Sequence, residues 1–262
     1  MNYLVIPTKF IVDLMTILSC VFILFAQLIS IKLNHLPKRI SIPTISYVEQ
    51  TAPEKQVLQL AFVVSGFLMI LFTAIQYFHH QENDQPEKPK TQKASKPLQR
   101  YFKAKFFCGC VGGFCIAAQT LCPLQDYWLS EQPDFSLEKY FMPQTTLHFV
   151  LSGIFFFCMF LHAVVTVLLM IKMGQHKKHK FLKVFYIRLG CLAFLCICSF
   201  VMFLMVFVEL LWKFTGIGIG LALSGANCFA AVELLCVFAV MIYFATQRAD
   251  LENICIAVAD FD

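Results

Sequence analysis

Apolar residues in this chain come in long unbroken runs separated by polar segments, with neither the alternation of half-buried strands nor the one-sided stripe of a soluble helix. Six runs, at about 10–31, 57–78, 106–124, 147–171, 187–212 and 221–245, meet or approach the roughly 20 residues a helix needs to cross about 30 Å of hydrocarbon. The third is the most interrupted, because Gln119 and Pro123 lie inside it. Continuous apolarity also excludes a transmembrane β-barrel, whose strands alternate. The pattern therefore predicts an all-α integral membrane protein, one six-transmembrane-helix bundle over 1–262 with no large soluble domain on either side. Between the second and third runs, 79–105 is polar and proline-bearing, which predicts a flexible linker. Residues 246–262 read as a short tail.

Composition supports this class. Hydrophobic residues make up 59% and charged residues 14% of the chain, where soluble domains carry about 25% charged residues, and the mean hydropathy is +0.71. The first run begins after a lead holding a single cation, Lys9, and exceeds a signal-peptide h-region, so it is expected to stay in the membrane as an anchor.

Basic residues orient the spans. With the N-terminus in the cytosol, fifteen of the 21 Lys and Arg residues fall on the cytosolic side and six on the other. The positive-inside rule then places both termini in the cytosol. Lys177, Lys178, Lys180 and Lys183 lie in the short cytosolic segment between the fourth and fifth spans, with Lys172 and Arg188 flanking them. Such a cluster sets topology, and it also attracts anionic lipid.

Twelve cysteines look like a disulfide framework until they are placed, since most fall inside apolar runs where a free thiol behaves as a small hydrophobe. Gly109 and Gly113 are four residues apart, as are Gly216 and Gly220. Small residues at this spacing let helices approach closely in a bilayer, within the bundle or between copies.

Glu233 falls near the middle of the sixth run, where a charge is costly and demands a partner. His162, in the fourth run, is the expected partner, either to hold two helices in register or to line a polar cavity. The seven histidines provide no set of three or four ligands spaced for zinc. No serine sits in a nucleophile-elbow context. Neither catalytic chemistry, nor a metal, nor a cofactor is expected. Membrane lipids are the expected partners, with proteins at the cytosolic loops, and no nucleic acid. The oligomeric state is open.

The loop after the first span reads Pro43-Thr44-Ile45-Ser46, followed by Pro53-Glu54-Lys55. Its prolines restrict the backbone, so the loop is expected to be stiff and shaped. In residues and spacing this motif resembles the FRAG/DRAM/Sfk superfamily of six-span membrane proteins, and most closely its damage-regulated autophagy modulator (DRAM) branch. Three other stretches are similar to the same pattern. They are Phe185-Tyr-Ile-Arg188-Leu189 at the fifth span, Ala230-Ala-Val-Glu233 in the sixth, and Tyr243 to Arg248-Ala-Asp250 at its end, with His148 ahead of Gly153 a looser match. Two positions depart from it: Tyr47 stands where an aspartate is usual, and Glu49 replaces a glycine. The resemblance implies a non-enzymatic modulator of autophagy at lysosomal or endosomal membranes. Other branches imply lipid remodelling of GPI anchors in the Golgi, or a plasma-membrane scaffold that binds lipid or phosphoinositide.

Overall fold

The computed structural model describes residues 3–35, 44–49, 51–82, 96–122, 143–215, 222–251 and 255–259. A strand β1 (Tyr3–Pro7) leads into α1 (Lys9–Lys32). A four-residue helix, α2 (Ile45–Val48), precedes α3 (Glu54–Glu82), α4 (Lys96–Gln119), α5 (Pro143–Lys172), α6 (His179–Thr215) and α7 (Ala222–Thr246), and β2 (Cys255–Ala259) follows. Six of these helices are long and apolar enough to cross a membrane.

The long helices overrun the apolar runs that announced them. Residues 79–82 and 96–105, expected as parts of a flexible linker, continue α3 and open α4. Polar residues at a helix end stay helical beyond the hydrocarbon, and hydropathy does not register them. The centre of that linker, 83–95, lies outside the described residues, as do 123–142 and 216–221.

The segment read as a tail is also structured in part. A 3-10 turn covers Gln247–Leu251, and β2 then pairs antiparallel with β1, from Tyr3 opposite Ala259 to Pro7 opposite Cys255. This ribbon adds to the predicted all-α bundle and brings the two ends of the chain to one end of it.

Each long helix touches the next in sequence, and α7 returns to α1, so the six form a closed ring. Outward faces carry large apolar side chains such as Ile17, Leu28, Phe67, Phe114, Phe157 and Phe203, as lipid-facing surfaces require. Inward lie Val12, Ile23, Phe72, Met159 and Phe244, with the Phe72 and Phe244 rings edge-on at 6.2 Å. Glycines bring α4 close to α3. A Cβ on Gly113 would stand 2.7 Å from the Gly66 carbonyl oxygen, and one on Gly109 would stand 2.5 Å from the Thr73 side chain. Gly109 and Gly113 therefore serve contact within the bundle.

Helix ends explain two left-handed residues. Asn34, at φ 55°, and Gly174, at φ 65°, follow α1 and α5, where a left-handed residue turns the chain back on the last carbonyls. In α2, the Thr44 side chain accepts the Tyr47 N–H at 3.0 Å.

Candidate functional site

Glu233 and His162 are not partners. The Glu233 carboxylate instead accepts the backbone N–H of Ile45 at 2.8 Å and the Ser46 hydroxyl at 3.3 Å. The first-loop motif thus folds back as α2, which packs on α1 and α7 and buries Ile45 and Val48 in the apolar core. Its surroundings are helix ends, His35 after α1, Glu54 opening α3 and Cys122 after α4, so α2 caps that end of the bundle. A carboxylate at the first N–H of α2 also meets the positive end of that helix.

His148 closes this node from α5. Its Nε2 lies 3.1 Å from Ser46 Oγ and its Nδ1 2.9 Å from the Cys122 carbonyl, which tethers the end of α4 to the same point. Glu54, in the first turn of α3, is buried and pairs with His35 Nδ1 at 2.6 Å. The Tyr47 hydroxyl donates to the His35 carbonyl at 2.9 Å. Glu49 is wholly buried as well, and among the described residues neither of its carboxyl oxygens has a hydrogen-bond partner. Burial, then the nearby Glu233, push the Glu49 carboxyl up to about 8 against a smaller pull from Lys55.

A second node lies at the end of the bundle that holds the termini. His162 Nδ1 lies 2.6 Å from the Tyr243 hydroxyl, which is also 2.8 Å from Thr166 Oγ1, so α5 is joined to α7. Depth alone suggested Glu233 for His162. Tyr243, ten residues further along α7 than Glu233, is the side chain level with His162. Arg188, counted with the basic loop from sequence, is fully buried. It pairs with Asp250 at 3.1 Å and donates from Nε and Nη2 to the side chain and carbonyl of Thr246, each at 2.9 Å. Lys105 of α4, also buried, donates to Gln247 Oε1 at 3.0 Å and lies 3.7 Å from Asp250. Arg248 reaches Asp13 of α1 at 3.1 Å. The 3-10 turn after α7 thereby ties α1, α4 and α6 together.

The remaining predicted positions are spread out. Pro53 is exposed after a cis Ala52–Pro53 bond, and Pro43, Gly216 and Gly220 lie outside the described residues. Lys177, Lys178, Lys180 and Lys183 are exposed along the turn between α5 and α6 and the first turn of α6. Among the described residues, no group of three or more His, Cys, Asp or Glu is placed to hold a metal ion.

Sequence reasoning missed Lys105, Gln247 and Thr246. Lys105 was legible only as one of seven cations approaching α4, with nothing to mark it as buried. Glu49 and Tyr47 were noticed only as departures, although both are built into the first node.

The stretches that carried the resemblance thus meet in two places: Ile45, Ser46, His148 and Glu233 in one node, and Arg188, Tyr243 and Asp250 in the other. Neither a curated protein nor a solved structure matches the chain. Residues 7–254 match the family model described as Frag1/DRAM/Sfk1/Cwh43P N-terminal domain. A match over nearly the whole of this multi-pass membrane bundle assigns the chain: it belongs to the Frag1/DRAM/Sfk1/Cwh43P family.

Proposed function

We propose that this protein is a non-enzymatic membrane scaffold that modulates autophagy at lysosomal or endosomal membranes. The observation that carries the reading is the seating of the DRAM-like Ile45–Ser46 step on Glu233 and His148. These polar side chains spend their hydrogen bonds on holding a loop in shape, which suits a protein that presents a fixed surface to a partner. With both termini in the cytosol, as the basic residues favour, that surface faces the lumen. Lys177, Lys178, Lys180 and Lys183 then face the anionic leaflet, where they contact lipid.

The test is residence and flux. A chain tagged at its C-terminus and expressed at near-native level is expected with lysosomal markers, and its knockout is expected to change autophagic flux. Golgi residence with unchanged flux would reject this reading and turn attention to GPI-anchor lipids. Plasma-membrane residence would redirect it to phosphoinositide binding.

A further inference from the structure

The first node holds a carboxyl group without a visible counterpart. Glu49 is fully buried, and its two oxygens meet no donor among the described residues, whereas Glu233 nearby accepts from Ile45 and Ser46. The groups around it do not supply a partner. From α7 comes Glu233, a second carboxylate. From α3 come Lys55, which acts only at a distance, and Glu54, already engaged by His35. From α5 comes His148, whose two ring nitrogens are taken by Ser46 and the Cys122 carbonyl.

Glu49 is the C-cap of α2. A buried charge with no partner is costly, and a proton on the carboxyl removes that cost.

We propose that the Glu49 carboxyl is a proton-binding site that latches α2: the protonated acid lets α2 stay seated in the bundle, and ionisation of Glu49 drives α2 outward. On release the proton passes to water and the carboxylate becomes solvated. The Glu233 contact to the Ile45 N–H is the bond that opens with it. The usual glycine of the resembling pattern has no such group, so the latch is a property of this chain. The inference rests on the seating of α2 and stands independently of the autophagy reading.

The direction follows from burial. The seated state keeps its proton up to about pH 8, whereas an exposed glutamate loses it near the ordinary value of 4.5. Between those limits acidification favours the seated state, and rising pH favours release. An acidic lumen would hold the latch closed.

Hydrogen exchange on the purified full-length chain tests this, following the amides of 45–49 at about pH 5 and about pH 8.5 with intrinsic rates normalised. Protection in the native chain is expected to fall by up to about tenfold per pH unit across the window, while α3 amides hold theirs. Glu49→Gln, a neutral isostere, is expected to keep α2 protected at both pH values. Glu49→Gly provides a second pH-independent variant if the glutamine chain does not fold. Unchanged protection in the native chain would overturn the proposal, and so would the same pH dependence in either variant.

Discussion

The Glu233 carboxylate accepts the Ile45 backbone N–H at 2.8 Å, across 188 residues of chain. A loop motif and an intramembrane acid, which look like unrelated features in sequence, are the two halves of one contact. The acid offsets part of its desolvation by taking an amide and a hydroxyl. In return the loop gains a fixed depth and orientation. Because Ser46 is shared with His148, the contact joins the loop to both α5 and α7.

The pair at the other node should be sensitive to loss of one partner. Asp250→Ala leaves the buried Arg188 with Thr246 but no carboxylate, and is expected to cost ~3 kcal/mol. Arg188→Lys is expected to be nearly as harmful, because a lysine cannot reproduce the fork that reaches both Thr246 and Asp250. Thermal unfolding in detergent reads both, and a change within error for Asp250→Ala would show that the ion pair adds nothing.

Two glycines should respond oppositely. Gly113→Leu forces side-chain atoms against the Gly66 carbonyl and Ile70, separating α3 from α4 at a cost of ~1–3 kcal/mol. Gly153→Ala meets nothing within 4 Å among the described residues and should gain about 0.5–1 kcal/mol from helix propensity. Melting temperatures of the two variants, compared with the native chain, are expected to move in opposite directions.

The spans and the close approach at Gly109 and Gly113 were legible, because hydrocarbon thickness and close approach leave direct marks on residue type and spacing. Partners across the bundle were not. His162 and Glu233 both fall inside apolar runs, yet a run does not fix the axial level of its residues, and the two lie in different nodes with Tyr243 and loop backbone as partners. Arg188 read as a solvated cation because its carboxylate lies 62 residues on, beyond the end of α7. The β1–β2 ribbon joins five-residue segments at opposite ends of the chain, too short for periodicity to reveal.

Stability should depend on pH through Glu49. Its carboxyl is raised from 4.5 to about 8 in the folded chain, so the folded state binds more protons than the unfolded state between those values. Stability is therefore highest towards the acid side of that window and falls as pH rises through it. The melting temperature of the native chain is expected to decline from about pH 5 to about pH 8, and Glu49→Gln is expected to flatten that profile.

The exposed lysines give a separate prediction. Replacing Lys177, Lys178 and Lys180 with glutamine is expected to weaken retention of phosphoinositide in nanodiscs by about fivefold per charge. Fold and thermal stability should be unaffected, since all three side chains are exposed. Unchanged retention would leave these residues a topological role alone.

The most direct test of the central contact is exchange of the Ile45 amide at one fixed pH, in the native chain and in Glu233→Leu. The native amide is expected to be protected, and the variant to lose that protection together with ~1–3 kcal/mol, while the amides of α3 stay slow. An Ile45 amide that exchanges freely in the native chain, or one equally protected without the carboxylate, would contradict the account.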